Sequence, residues 1–216
     1  MSTLYNKYYD VSKLVIWGDE TGDDTNRKAK LIFSFRDGNP RITVYTGVVG
    51  KEGVISFPSD HPTMVTIMNL LKDVANGQPG VKFSIDSLTF VYENDKPTTN
   101  KRIVSTLHIG KSNQGLVYFS VIMEAKPKLV FTLKSSPFHA FRDKDKNLLS
   151  EESISSKMAL GLADLILGIV SNIIVNYTDE EYDNSPRKPL EVKGRSGVNP
   201  QVAVKENIQE LDDLAL

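Results

Sequence analysis

Residues 28–46, KAKLIFSFRDGNPRITVYT, decide the fold class, because hydrophobicity alternates along them at a period of two. Ala29, Leu31, Phe33 and Phe35 fall on one side, and Lys28, Lys30, Ser34 and Arg36 share the other with Ile32. That period is the signature of a strand with one wet face. Residues 37–40, DGNP, supply turn chemistry. RITVYT then returns with Ile42 and Val44 inward and Arg41, Thr43 and Tyr45 outward. The stretch predicts an antiparallel hairpin.

Towards the N-terminus, a first strand is expected over 13–17, separated from the hairpin by the acidic loop GDETGDD at 18–24. Towards the C-terminus, a short strand over 54–57 leads into PSDHPTMVTIMNLLKDVANG. Ser59 or Asp60 can cap a helix there. Met64, Ile67, Met68, Leu71, Val74 and Ala75 recur at helical spacing until Asn76 and Gly77 end the run.

The order then repeats. VKFSI and LTFVYE read as one long strand whose alternation slips near Asp86 and Ser87, suggesting a bulge or a break. RIVSTLHIG, LVYFSVIME and KLVFTLK read as three more strands, divided by NDKPTTN, KSNQG and the AKP turn. A helix follows from about 150 to 177, with Glu151 and Glu152 in its first turn. Its expected core stripe is Ile154, Met158, Leu162, Leu165, Ile169, Ile173 and Tyr177. The predicted class is α+β, two antiparallel four-stranded sheets each followed by a helix, in one compact domain over 1–177 with halves at about 12–77 and 81–177. Residues 178–204 are expected to be a flexible linker and 205–216 an acidic tail. An OB-fold-like β-barrel with a C-terminal helix is the alternative.

Cys is absent from the 216 residues, which removes disulfides, zinc–thiolate sites and thiol nucleophiles together. Its absence fits a reducing compartment, and the N-terminus shows no basic start followed by an apolar run, so a cytoplasmic location is expected. The most apolar stretch, 159–175, is shorter than the roughly 20 residues a bilayer needs and carries Asp164, Ser171 and Asn172. It reads as a buried helix, not a membrane span. His61, His108 and His139 are widely spaced, and no Walker A, GxSxG or GxGxxG pattern follows a strand. No catalytic residue, metal or cofactor is expected.

Net charge is −1 but unevenly placed: residues 1–25 carry −3, residues 26–146 carry +8 and residues 147–216 carry −6. On the strand alternation, the outward side of the first half presents Lys28, Lys30, Arg36, Arg41 and Tyr45. In the second half it presents Lys82, Arg102, His108, Tyr118, Lys128 and Lys134. Cations track a phosphate backbone and tyrosine rings stack on unpaired bases, the combination that binds single strands with little sequence preference. Any half-exposed sheet also turns Lys, Arg, Thr and Tyr outward, and the +8 balance favours the nucleic-acid reading. In KSSPFHAFRDKDK, Phe138, His139, Phe141 and Arg142 form either a stacking platform or a plug for the end of the core.

The C-terminus interleaves Glu210, Asp212 and Asp213 with Leu211, Leu214 and Leu216. Such a segment can occupy a basic face in the absence of nucleic acid and recruit partners once displaced, or it can be a frayed helix docked on the body. The tandem four-strands-plus-helix order resembles the Whirly and transcription-coactivator-like group of single-stranded DNA-binding proteins. The ELDDLAL ending resembles the acidic tails of phage and bacterial single-stranded DNA-binding proteins. Together these resemblances imply a phage-encoded, non-enzymatic protein serving replication, recombination or transcription. Phage or host polymerase and replication proteins would be reached through the tail. The wide apolar arc of the second helix, with Ile166, Val170, Ile174, Gly161 and Gly168, predicts a dimer or tetramer. The competing class is a structural or adaptor protein whose sheets and long helix make protein contacts.

Overall fold

A computed structural model describes residues 14–20, 28–36, 39–48, 53–93 and 96–177. Four strands come first, β1 (Val15–Glu20), β2 (Lys28–Arg36), β3 (Asn39–Tyr45) and β4 (Val54–Pro58), then helix α1 (His61–Asn76). Strands β5 (Lys82–Glu93), β6 (Lys96–Lys111), β7 (Val117–Ile122) and β8 (Phe131–Thr132) follow, and helix α2 (Glu151–Tyr177) closes the described chain. The strands form two antiparallel sheets in the simple orders β1-β2-β3-β4 and β5-β6-β7-β8. The α+β class with two four-stranded sheets is therefore present, and the strands do not form the single sheet of the barrel alternative.

The opening alternation holds except at Thr43, which shares the outer face with Ile32 yet is buried at 8% exposure. Ala29, Leu31, Phe33 and Phe35 on β2, and Ile42 and Val44 on β3, are buried, while Lys28, Lys30, Ile32 and Ser34 keep exposure. Leu107, Ile109, Val117, Phe119, Val121 and Phe131 face inward from the second sheet. Phe33 and Phe119 meet edge to face with centroids 5.7 Å apart, so the inner faces of both sheets share one core. Each of these fully buried large side chains contributes about 1.5–3 kcal/mol of apolar transfer energy.

Helix α1 starts where its chemistry says it should. Asp60 is the N-cap, its carboxylate accepting from the Thr63 backbone N–H at 2.7 Å, with Pro62 in the first turn. Hydrogen bonding from the Thr63 side chain, and after it from the Thr63 backbone N–H, holds the Asp60 carboxyl below its usual range. All six apolar residues expected on its core face are buried. At its far end, the Lys111 ammonium, buried at 6% exposure, donates to the carbonyls of Ala75 (3.3 Å) and Gly77 (3.1 Å) and lies 3.4 Å from Glu152. One lysine of β6 thus ties the end of α1 to the first turn of α2, a favourable place for a cation.

Several expectations shift. Strand β1 covers 15–20 rather than 13–17, and β6 begins at Lys96, so that most of NDKPTTN belongs to the strand. Only Phe131 and Thr132 of KLVFTLK pair as a strand. The slip expected near Asp86 and Ser87 is real, but the extra residue is Val104 on the opposite strand, between the pairs Ser87–Ser105 and Leu88–Ile103. The largest correction concerns α2: its buried stripe is Ile154, Ala159, Ala163, Ile166, Val170 and Ile173, while Met158 and Leu165 are 38% and 47% exposed. Small alanines let the helix approach the core closely. It is therefore half-buried rather than buried, and by length and composition alone it would also qualify to cross a bilayer. Residues 21–24 of the acidic loop, the linker at 178–204 and the tail at 205–216 lie outside the described residues, as does the side chain of Tyr177.

Candidate nucleic-acid interface

On the first sheet, register fixes which outward residues become neighbours. Lys30 of β2 pairs with Trp17 on β1 and with Tyr45 on β3, so the three share one face and form a row across three strands. Trp17 is 58% exposed and Tyr45 39%. The Lys30 ammonium sits 4.9 Å from the Tyr45 ring centroid, within cation–π range. With exposed Lys28, Gly47 and Val48, these side chains line a shallow cleft of about 390 Å³. Two aromatic surfaces with ammonium groups beside them can stack bases and attract phosphate at once.

The remaining expected residues are more dispersed. Arg41 lies on the same face but four residues along β3 from Tyr45, about 13 Å at strand rise. It lines a different cleft, of about 630 Å³, between the end of the first sheet and β5, with Asp60 and Asp86. Arg36 ends β2 opposite Asn39, and its side chain lies outside the described set.

On the second sheet, Lys82, Gly110, Tyr118 and Thr132 form one cross-strand row, and Ser84, His108 and Ser120 the next. Lys82, His108 and Tyr118 therefore share an outer face as expected, with Lys82 exposed, but the side chains of His108 and Tyr118 have other engagements. A Cβ on Gly110 would lie 2.6 Å from the Tyr118 hydroxyl and under 3 Å from its ring, so the tyrosine lies flat against that glycine. His108 Nδ1 is 2.7 Å from the Ser84 hydroxyl, and burial, helped by Lys82, pushes its pKa below the usual imidazole value. Its charged form is disfavoured there. The Thr106 hydroxyl donates to Asp86 at 2.6 Å, placing an anion on the same face. Arg102 pairs with Thr89, and the bulge at Val104 turns it to the side opposite this row. Lys128 and Lys134 are exposed but lie in irregular chain on either side of β8.

Three features were not anticipated. Trp17 lies in the first strand, where Val15, Ile16 and Trp17 are all apolar and give no face, and only the pairing with Lys30 sets it outward. The outer part of the β5–β6 hairpin exposes Leu88, Phe90, Tyr92 and Ile103 at 46–62%, with the Lys101 ammonium 5.3 Å from the Phe90 centroid. At His61, Nε2 is buried without a hydrogen-bond partner, so this histidine is more enclosed than a surface position implies. Phe138 is 90% exposed and Phe141 46%, so the loop phenylalanines do not plug the core. Among the described residues, no three His, Asp or Glu side chains converge as a metal site. Comparison with protein families, with curated proteins and with solved structures gives no match for this chain.

Proposed function

We propose that the protein binds single-stranded nucleic acid, largely without sequence preference, through the outer face of its first sheet. The observation that carries this is the row Trp17, Lys30, Tyr45, in which an exposed indole and an exposed phenol flank an ammonium group. Stacking on a ring costs no sequence specificity, because every base has a π face, and the cations beside it follow the backbone. The +8 balance of residues 26–146 supports the same reading. On this reading the chain is a non-enzymatic binding protein of the Whirly-like kind, serving phage replication, recombination or transcription in a host cytoplasm. Its tail, with Glu210, Asp212 and Asp213, competes for the basic face and recruits replication partners.

The second reading, an adaptor that contacts proteins, is favoured by the exposed Leu88, Phe90, Tyr92 and Ile103 on the β5–β6 hairpin. Fluorescence anisotropy with an unstructured oligonucleotide and a matched duplex separates the two. Preference for the single strand and a steep fall in affinity between about 50 and 200 mM salt are expected. Absent or salt-insensitive binding would move the protein to the adaptor class.

A further inference from the structure

We propose that the open edge of β5 accepts an extended peptide segment as an added strand, one whose side chains alternate between acidic and apolar. The four edges of the two sheets show why this one differs. β1 shifts register between Trp17 and Glu20, β4 is five residues long and ends in Pro58, and β8 pairs over two residues. Irregularity, proline and short length are the usual means by which an edge is closed to further pairing. β5 has none of them. It runs twelve residues from Lys82 to Glu93 without proline, and the extra residues in its pairing lie on β6. Between Ile85 and Tyr92 its single charge is Asp86, whose carboxylate already accepts the Thr106 hydroxyl.

The edge also borders a cleft. Side chains of a strand alternate between its faces, so a cleft lined by Ile85, Asp86, Ser87 and Leu88 in succession, and by no described residue of β6, runs along the open edge. This is the cleft of about 630 Å³ whose opposite wall carries Arg41 and Pro58. Among the described residues, no backbone group of 85–88 bonds outside the ladder with β6, so unpaired N–H and C=O groups face the cleft. Extended backbone satisfies such a row through main-chain hydrogen bonds, and pockets for alternate side chains select the segment. Arg41 is half-buried and has no hydrogen bond or ion pair among the described residues, so it calls for a carboxylate. Leu88, Phe90 and Tyr92 are exposed on one side of β5 and call for apolar side chains there. Asp86 shares that side, which leaves the carboxylate to the side of Ser87. A second copy of β5 fits less well, because its residues on the Ser87 side, Phe83, Ile85, Thr89 and Val91, bring no carboxylate to Arg41. Nucleic acid fits less well too, since Asp60 and Asp86 outnumber the one guanidinium in the cleft.

The test uses the full chain and two short synthetic peptides with blocked ends, one alternating valine with glutamate and the other valine with lysine. The acidic peptide should bind saturably, slow amide hydrogen exchange within β5, and bind about five-fold more tightly than the lysine peptide. Arg41→Gln should erase that preference and Arg41→Glu should reverse it. Because Arg41 has no bond to lose, neither substitution should move the thermal midpoint. No saturable binding of the acidic peptide, protection confined to residues outside β5, or a preference that survives both substitutions would overturn the proposal. Displacement of the peptide by an unstructured thymidine oligonucleotide would overturn it by assigning the cleft to nucleic acid. A wild-type dimer that the peptide dissociates would overturn it by assigning the edge to a second copy. The proposal does not rest on the nucleic-acid reading: an oligonucleotide that binds elsewhere, or not at all, should leave peptide affinity unchanged.

Discussion

The two sheets have the same strand order, and alternation alone gives both an outer face with lysines and a tyrosine, yet those faces differ in what is already engaged. On the first, Trp17 and Tyr45 stand exposed on either side of Lys30. On the second, Tyr118 lies on Gly110, His108 on Ser84, and Asp86 takes the Thr106 hydroxyl. Outward cations mark a binding face only where the register also leaves aromatic surface unpacked beside them. The second sheet ties its polar groups to one another, whereas the first keeps the Trp17 and Tyr45 rings exposed, and it is those rings that the proposed function assigns to a ligand.

That contrast breaks most sharply under substitution. Replacing Lys111 by Met removes a charged donor from the end of α1 and should cost about 1.5–3 kcal/mol in urea unfolding, while oligonucleotide affinity per folded molecule stays unchanged. Trp17→Leu should do the converse, weakening single-strand binding by about 1–3 kcal/mol, roughly 5- to 150-fold, with little change in unfolding. Tyr118→Leu should leave affinity where it was. Equal losses from Trp17→Leu and Tyr118→Leu would erase the distinction between the sheets.

A smaller effect concerns pH. The folded state holds the His108 pKa below the value of about 6.5 expected in an unfolded chain, through burial and the Lys82 charge, against the opposing pull of Asp86. Below pH 6.5 the unfolded chain therefore binds a proton that the folded chain resists. Stability is complete above that value and declines as pH falls through the folded pKa. Wild type should lose slightly more stability than His108→Gln between pH 7 and pH 5. A larger loss in the variant would show that His108 is stabilised in its charged form.

What the sequence made legible follows from what a single strand or helix can encode. Alternation in KAKLIFSFR and RITVYT needs no partner to be read, and Asp60 with Thr63 announces a helix start within four residues. Register needs a partner. Trp17 joins Lys30 only through the pairing of β1 with β2, and Arg102 leaves the outer row only because Val104 is an extra residue relative to β5. The buried stripe of α2 is hidden in the sequence for a different reason. A helix apolar on most sides does not declare which side is buried, and Ala159 and Ala163, fully buried, carry the weakest hydrophobic signal of the buried stripe.

The row on the first sheet can be interrogated directly because Trp17 is the only tryptophan in the chain. Its fluorescence should be quenched in a saturable manner by an unstructured thymidine oligonucleotide, with quenching and anisotropy giving the same midpoint and both reversed by salt. An oligonucleotide that binds by anisotropy yet leaves the Trp17 emission untouched would place the interface elsewhere and contradict the account.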